Sequence, residues 1–418
     1  MKISLIQPGR NNLKYLKWSY NSIRKNQGNH EVEICVADDF SNDGTWDWCL
    51  EMMEKDSNFK AIRNEGPGRL GHTILYDRLV NEVATKDICM IYHADMYLCP
   101  EALNAIEKHL TDKTIVSLTR IEPPLHPNGP EKILQDFGIE PEEFNEDGLF
   151  AYLQATDSER EIKTTEGIFA PWAFYKKDFQ EIGGHDPIFA PQSKEDSDIF
   201  NRFQLNGIKF IQTWEGCVYH MTCRGSRFAD GAKRNPNGEV FMKNRETDEW
   251  LKQNKKSTRE FLRKWGSFVY HNNLLKPIIP SKYDIGFILN NSMLSPINLF
   301  FLNQFTVNHD SQLLTTLEPW CSTVYTHFPF VKDYIDFEQN KTSFNLQDRI
   351  KPYDNEKNNK ILVEIDCSKF NQQDFGIIQH LPQIIKDSGE IGVFKLNNLK
   401  IEIFDLQTYE KELIVCTS

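Results

Sequence analysis

The sequence lacks the cysteine patterns of disulfide-rich secreted domains and of cysteine metal sites. Its 418 residues include nine cysteines, an odd number, and no two of them form a Cys-x-x-Cys pair. Such usage describes neither a disulfide framework nor a zinc cluster, and it suits a reducing compartment. We therefore expect a cytoplasmic protein.

An excess of basic residues and long apolar runs are also missing. The chain has 48 Lys and Arg against 60 Asp and Glu, for a net charge of −12. A general binder of nucleic acids or anionic membranes needs a dominant basic surface, so we expect neither partner. No segment approaches the ~20 apolar residues of a membrane span, and the N-terminus lacks a signal-peptide pattern. We expect no membrane span and no signal peptide.

Length and composition predict two domains, because 418 residues exceed a typical single core. The prolines of LLKPIIPSK, residues 274–282, suggest a linker between domains at 1–275 and 283–418. In the second domain, IGFILNN, KILVEID and EIGVFKL are predicted strands and residues 375–386 a helix, giving a smaller α/β or α+β unit. It carries no catalytic motif, and acceptor binding, homo-oligomerisation and anchoring to a partner enzyme all remain open roles.

The first domain alternates strands and helices, which predicts βαβ units and a mostly parallel sheet. The predicted strands cover residues 2–7, 32–37, 59–63 and 87–92, and the predicted helices cover residues 13–25, a segment from Thr45, and residues 70–84. In such sheets ligands bind beyond the carboxyl ends of the strands. Asp38, Asp39, His93 and Asp95 follow predicted strands, so we expect them at one edge of the sheet.

An acidic cluster precedes a further predicted helix. Glu195, Asp196 and Asp198 stand within four positions, ahead of apolar residues at helical spacing. Like charges this close are costly unless a proton, a cation or a substrate hydroxyl is present, so the cluster is a candidate active site. The alternative is a solvated first helical turn, where acidic residues are favoured by the helix dipole.

These segments and others resemble one enzyme family in a fixed order. They are ISLIQPGRN, VEICVADDFSNDGT, IYHADMYLCPEAL and GIFAPWAFYKKDFQEIGGHD, followed by the acidic run. In this order they resemble family 2 glycosyltransferases, nucleotide-sugar-dependent enzymes of the GT-A fold, over roughly residues 1–225. The resemblance implies a Rossmann-like α/β domain and a hexosyltransferase-like enzyme of carbohydrate biosynthesis. Such an enzyme would move a sugar from a nucleotide-diphosphate donor to a glycan or other hydroxyl acceptor, with UDP-sugars favoured as donors.

The resemblance also implies roles for individual residues. Asp196 would be the general base of an inverting transfer, with Glu195 holding the base or the acceptor. The implied acceptor-side residues are Trp172, His185 and Asp186. The implied donor-side residues are Pro8, Asn11, Asp38, Asp39, Arg69, His93, Arg224 and Arg227. For Asp38 and Asp39 a turn with Ser41 and Asp43 is the structural alternative.

A divalent cation, Mn²⁺ or Mg²⁺, would neutralise the departing diphosphate. Asp95 matches the last aspartate of the family's Asp-x-Asp motif, whereas His93 replaces the first, and His220 stands where a histidine closes the metal site in some GT-A enzymes. A histidine can ligate manganese but does not supply the same negative charge. The alternative to metal binding by His220 is a purely structural role.

A basic, glycine-rich segment follows His220. Arg224, Arg227, Lys233 and Arg234 are predicted to form a lid over the diphosphate, and an amphipathic helix is expected next within residues 221–270. Two other functions stay open, namely a retaining GT-A transferase, whose metal site more often includes histidine, and a non-catalytic sugar-binding or scaffold protein of the same fold.

Overall fold

The computed structural model describes residues 1–160, 163–222, 231–243, 246–291, 313–327 and 346–416. The chain divides into two compact units. Unit 1 comprises Met1–Asn254, Tyr270–Ile278 and Val415–Ser418, and unit 2 comprises Lys255–Val269 and Ile279–Ile414. The domain boundary drawn at residues 275–283 stays a prediction. Part of the segment expected as a linker, Pro277–Ile278, is a short strand within unit 1.

Unit 1 contains fourteen strands and eight helices among its described residues. The strands are β1 (Lys2–Gly9), β2 (Glu31–Asp39), β3 (Phe59–Asn64), β4 (Ile88–Ile91), β5 (Met96–Leu98), β6 (Thr114–Glu122), β7 (Lys132–Leu134), β8 (Thr164–Thr165), β9 (Trp172–Tyr175), β10 (Lys209–His220), β11 (Ala232–Arg234), β12 (Val240–Met242), β13 (Tyr270–His271) and β14 (Pro277–Ile278). The helices are α1 (Leu13–Asn26), α2 (Thr45–Lys55), α3 (Gly71–Arg78), α4 (Ala102–His109), α5 (Glu146–Ala155), α6 (Asp157–Arg160), α7 (Lys176–Glu181) and α8 (Glu195–Leu205). Helix α9 (Asp248–Trp265) begins in unit 1 and continues in unit 2.

A large mixed sheet forms the frame of unit 1. Its strand order is β3-β2-β1-β4-β9-β6-β10-β5, with β7 added to β6 and β8 added to β10. Strand β1 runs parallel to β2 and β4, and β6 runs parallel to β10, while β9 lies antiparallel between β4 and β6. Strands β1 and β2 are buried along nearly their whole length, and the polar Ser4 and Glu33 within them are satisfied by a hydrogen bond from the Ser4 hydroxyl to the Glu33 carboxylate at 2.6 Å. The predicted mostly parallel α/β sheet is confirmed.

The strand pairing also creates the edge where the candidate site lies. Strand β5 runs antiparallel to the end of β10, with Met96 opposite His220. The chain between β4 and β5 therefore turns directly against the carboxyl end of β10. This pairing places His93 and Asp95 beside a residue more than a hundred positions later in the sequence.

Two predicted segments of unit 1 differ in detail from the structure. The helix predicted over residues 70–84 begins at Gly71 and changes to a π-helix over Leu79–Val83. The region from 122 to 165, which shows no periodicity in sequence, contains β7, α5 and α6. Helix α5 has a side-chain cap from Asn145 but buries Leu149 alone, so its sequence lacks a regular apolar stripe.

Unit 2 contains a six-stranded sheet of order β17-β16-β15-β18-β20-β19. Its strands are β15 (Ile285–Asn290), β16 (Thr323–Thr326), β17 (Ile350–Pro352), β18 (Ile361–Asp366), β19 (Gly392–Leu396) and β20 (Leu399–Ile403), and its remaining helices are α10 (Leu346–Arg349), α11 (Gln372–Gln379) and α12 (Leu381–Ser388). Strands β17, β16, β15 and β18 run parallel to one another. Strand β20 runs antiparallel to both of its neighbours, β18 and β19. The prediction of a second α/β or α+β unit is confirmed.

The single helix predicted over residues 375–386 is wrong, because the structure has two helices. Helix α11 ends at Gln379, and Pro382 lies in the first turn of α12. Proline lacks the N–H that a continuous helix needs, but at the first turn that N–H would have no partner anyway. Among the helices that the structure describes, none has the length and apolar sequence that crossing a bilayer requires.

Candidate active site

Three potential metal ligands meet where β4, β5 and β10 end. His93 follows β4, Asp95 precedes β5, and His220 is the last residue of β10. One ligand atom from each lies within 4.8 Å of the others. The His220 Nε2 is 3.3 Å from the Asp95 Oδ1, and the two imidazole rings are 5.6 Å apart between centroids. The structure thus brings together the three residues predicted as metal ligands.

Glu122 orients His220 from the other side. The His220 Nδ1 donates to the Glu122 Oε1 at 2.7 Å, which leaves Nε2 on the side of Asp95. Glu122 itself is 2% exposed and is held by Arg120 at 3.2 Å and Lys132 at 3.4 Å. A carboxylate behind a metal-binding histidine fixes its tautomer and raises its basicity. Sequence reasoning missed Glu122, whose position at the end of β6 was the available signal.

The charges of this cluster reinforce one another. Burial alone would raise the pKa of Asp95, but His220 and His93 hold it at about 2. Burial alone would lower the pKa of His220, but Asp95 and Glu122 raise it to about 9. Burial and the neighbouring His220 lower the pKa of His93 to about 3, which leaves its imidazole neutral. A divalent cation would displace the proton on the His220 Nε2, and two imidazole nitrogens and one carboxylate oxygen, all close together and mostly buried, would then fit a cation such as Mn²⁺.

The acidic cluster divides into two carboxyl groups with raised pKa values and a third that forms a buried ion pair. Glu195 and Asp196 begin α8, and burial and the Asp196 charge raise the pKa of Glu195 to about 8. Burial raises the pKa of Asp196 as well, against the positive charges of His185 and Arg120. The Glu195 Oε2 is buried without a hydrogen-bond partner among the described residues. Asp198, in contrast, is fully buried and pairs with Arg202 at 2.8 Å.

His185 lies beside this pair and is fixed by Asp77. Its Nδ1 donates to the Asp77 Oδ1 at 2.7 Å, and its ring stacks on Tyr76 at 5.5 Å. The His185 side chain is fully buried, and its Nε2 has no hydrogen-bond partner in the part of the chain that the structure describes. Arg202 donates to the carbonyls of Ile182 and Gly184, which fixes the loop that carries His185. Sequence reasoning did not find Asp77.

Trp172 and Asp186, also predicted on the acceptor side, make contacts that hold the fold together. Trp172 is fully buried and its ring packs against Phe200 and Phe203. A ring enclosed in the core offers no face to a sugar, and this burial corrects its predicted acceptor role. The Asp186 carboxylate accepts the backbone N–H of Ile188 at 3.0 Å and so caps a short 3₁₀ helix.

Asp38 and Asp39 end strand β2 but have different partners. Asp38 is fully buried, lies 3.2 Å from the Arg63 Nε and accepts the Ser41 N–H. Asp39 accepts the backbone N–H groups of Leu70 at 3.0 Å and Gly71 at 2.9 Å, and the Asn64 amide at 2.7 Å. Both Asp39 oxygens therefore hold the loop that leads into α3. Donor binding by Asp38 and Asp39 stays a prediction.

The other donor-side candidates lie on the same edge. Pro8 is a buried residue of β1 that pairs with Ala37. The Asn11 backbone N–H donates to the Ser41 hydroxyl at 2.9 Å, and its side chain accepts the Asn42 N–H, so it joins the loops after β1 and β2. Arg69 lies 3.9 Å from Asp39 and 3.4 Å from Glu249.

His72, in the first turn of α3, was missed by sequence reasoning. Burial and the charge of Arg69 lower its pKa, and the charges of Asp39 and Asp95 reach it. The charges of both the donor-side loop and the metal-ligand cluster therefore act on His72. The spacing of His72 from the other site residues does not predict from the sequence that it lies near them.

The predicted lid is only partly described. Arg224 and Arg227 lie outside the described residues. Arg234 belongs to β11 and forms ion pairs with Asp136 at 2.6 Å and Glu143 at 3.2 Å. Helix α9 follows within the range expected for the amphipathic helix.

Comparison with known proteins places the N-terminal region in a family. Residues 4–183 match the family model of glycosyl transferase family 2. Abequosyltransferase RfbV of Salmonella typhimurium strain LT2 is 29% identical over 119 residues, which are 28% of this chain and 35% of the relative. The chain thus spans about a third of the length of this relative.

Solved structures with similarity to the chain cover about half of it. The mannosyltransferase PcManGT from Pyrobaculum calidifontis, solved with GDP-Man and Mn²⁺, is 16% identical with a TM-score of 0.38, over 53% of this chain and 57% of its own. GalNAc-T7 with UDP, GalNAc and Mn²⁺ is 17% identical with a TM-score of 0.38, over 53% of this chain and 44% of its own. These scores are low, so the assignment rests on the family model. Residues 4–183 of this chain are a glycosyltransferase family 2 domain.

Proposed function

We propose that the protein transfers a sugar from a nucleotide-diphosphate donor, with UDP-sugars favoured, to a hydroxyl of a glycan or another acceptor. The observation that carries the proposal is the pairing of two groups at one sheet edge of a family 2 domain. One group is the cluster of His93, Asp95 and His220, and the other is the pair formed by the buried Glu195 and the partly buried Asp196.

Two residues connect these groups electrostatically. Burial raises the pKa of Tyr76, and the charges of Asp196, Glu195 and Asp95 raise it further. Arg120 opposes the raised pKa of Asp196 and contributes to the lowered pKa of His93. Tyr76 and Arg120 therefore lie within reach of both groups, which supports a single reaction centre.

His93, Asp95 and His220 would hold a divalent cation, which supplies positive charge to the diphosphate as it leaves. On the donor side, a carboxylate such as that of Asp38 can accept an N–H of the nucleobase. The buried Asp38 is held in place by Arg63 and the Ser41 N–H, so its orientation is fixed before the donor binds.

Asp196 would act as the general base. It takes the proton of the acceptor hydroxyl while the hydroxyl oxygen bonds to the anomeric carbon, and the nucleoside diphosphate leaves with the bonding electron pair. The raised pKa of Glu195 keeps that carboxyl protonated near neutral pH, so a single negative charge remains on the pair. Attack opposite the leaving group inverts the anomeric centre, and NMR of the product would distinguish this outcome from retention.

A turnover assay of Asp196→Asn tests the proposal. Removing a general base lowers kcat by about 100-fold or more, whereas the affinity for the nucleotide sugar should change little. The matched control is Asp112→Asn, because Asp112 is an exposed aspartate that pairs with Lys177. Unchanged turnover in Asp196→Asn would show that Asp196 is not the base.

A further inference from the structure

Phe169 is an exposed aromatic residue within a buried segment. It is 37% exposed, whereas Ile168, Ala170 and Trp172 are almost completely buried. The segment leads into β9, and the Phe169 backbone N–H donates to the buried Ser117 hydroxyl at 3.4 Å. The backbone at Phe169 is thus fixed by its neighbours while the ring faces outward.

Arg120 fixes the ring from one side. Its guanidinium carbon lies 4.0 Å from the centre of the Phe169 ring, within the range of a cation–π contact. Arg120 is 5% exposed and forms ion pairs with Glu122 at 3.2 Å and Glu131 at 3.1 Å. A ring backed by a buried and doubly paired guanidinium is held in place before any ligand arrives.

The same contacts connect Phe169 to the reaction centre. Arg120 contacts Phe169 on one side and Glu122 on the other, and Glu122 accepts the hydrogen bond from His220. His220 in turn lies 3.3 Å from Asp95. Two side chains, those of Arg120 and Glu122, therefore connect the exposed ring to His220 of the metal-ligand cluster, and the charge of Arg120 also reaches Asp196.

We propose that Phe169, backed by Arg120, is a stacking surface for a sugar ring at the reaction centre. The inference rests on the proposed function, since it assigns a binding residue to that site. The C–H face of a sugar ring packs on an aromatic face, and the fixed ring loses little entropy on binding. Both the donor and the acceptor can present such a sugar face. Phe169 thereby offers the exposed aromatic face that Trp172, enclosed in the core, does not.

The test compares Phe169→Ala, Phe169→Leu and Phe169→Tyr with the wild type. Calorimetry with Mn²⁺ present gives Kd for UDP and GDP and for their glucose, galactose and mannose conjugates, and turnover with methyl glycosides gives KM for the acceptor. Loss of stacking should weaken the sugar-bearing ligand about threefold to tenfold in the alanine and leucine variants, and tyrosine should restore it. Phe169→Leu keeps apolar volume, so it separates stacking from folding. Phe404→Ala, which removes a half-exposed ring of unit 2, is the control.

Each pattern of results has one meaning. A weaker Kd for the nucleotide sugar with an unchanged Kd for the nucleotide supports stacking on the donor. A raised acceptor KM with an unchanged donor Kd supports stacking on the acceptor. Equal loss for nucleotide and nucleotide sugar, or no loss in either measurement, overturns the proposal. If the wild type binds no nucleotide sugar, the proposed function itself fails, and that result is visible before any variant is compared.

Discussion

At the scale of single residues, the protonation of Asp196 depends on the charge of His185. Burial raises the pKa of Asp196, and a positive His185 opposes that rise. His185 is held for this role by its hydrogen bond to Asp77. A base must be ionised to accept a proton, so the lower limit of the active pH range follows the pKa of Asp196.

His185→Gln should therefore move the acid limb of the kcat/KM profile to higher pH, because removing the positive charge raises the pKa of Asp196 further. Asp77→Asn should move it in the same direction by a smaller amount, since it weakens the hydrogen bond that holds the His185 ring in place. His271→Gln, which changes an exposed histidine, should leave the profile in place. An acid limb that stays unchanged in both site variants would rule out this coupling.

Glu195 gives a second residue-scale prediction, on stability. Its pKa rises from 4.5 to about 8 on folding through burial and the nearby Asp196. Between these two values the folded protein holds a proton that the unfolded chain has released, so stability falls as pH rises through the window. Glu195→Gln removes this titration. Urea unfolding at about pH 5 and at about pH 8 should show the variant gaining stability over the wild type at the higher pH.

The control for that experiment is Glu54→Gln, because Glu54 is an exposed residue of α2. Its stability relative to the wild type should be nearly the same at both pH values. A stability difference for Glu195→Gln that does not change with pH would contradict the raised pKa of Glu195.

At the scale of elements, the end of β6 supports the end of β10. Glu122 on β6 fixes the His220 ring on β10, and Lys132 on β7 pairs with Glu122. Because outer carboxylates orient metal-binding histidines, Glu122→Gln should weaken Mn²⁺ affinity about tenfold or more. Calorimetry with Mn²⁺ alone measures this effect without turnover.

Glu215→Gln is the matched variant, because Glu215 also lies on β10 but pairs with Lys108 and His109. Its Mn²⁺ affinity should equal that of the wild type. Equal affinity in Glu122→Gln and the wild type would show that Glu122 has no part in a metal site.

Elements also show what a sequence can and cannot predict. Strand ends were predictable because short segments rich in apolar residues alternate with helical segments in the sequence, and this placed Asp38, His93 and Asp95 at one edge. The choice between Trp172 and Phe169 was not predictable, since both are aromatic residues in one apolar segment. Their exposure depends on Phe200 and Phe203 packing on one ring and Arg120 contacting the other. Such contacts join residues that are far apart in sequence.

At the scale of the whole molecule, unit 2 is stabilised by a buried ionic network. Glu318 is fully buried and pairs with Arg263 at 2.9 Å, Arg349 at 2.8 Å and Arg259 at 3.4 Å. Removing one partner of a buried ion pair leaves uncompensated charge, at a cost of about 3–5 kcal/mol. Glu318→Ala should therefore unfold unit 2 at lower denaturant concentration, with faster hydrogen exchange in β15 and β18.

Glu356→Ala, at an exposed position of unit 2, should leave that exchange unchanged. If Glu318→Ala has the same exchange rates as the wild type, the network does not stabilise unit 2. Contacts such as those of Glu318 join segments of unit 2 that are distant in sequence, and a sequence pattern does not show which segments these are.

The measurement that tests the account most directly is calorimetric titration of nucleotide-diphosphate sugars with and without Mn²⁺, in the wild type and in Asp95→Asn. We expect one nucleotide-sugar class to bind the wild type far more tightly with Mn²⁺ present, and we expect this dependence to disappear in Asp95→Asn, because Asp95 is the carboxylate of the predicted metal site. Absence of nucleotide-sugar binding, or binding that is identical with and without Mn²⁺, would contradict a metal-dependent glycosyltransferase.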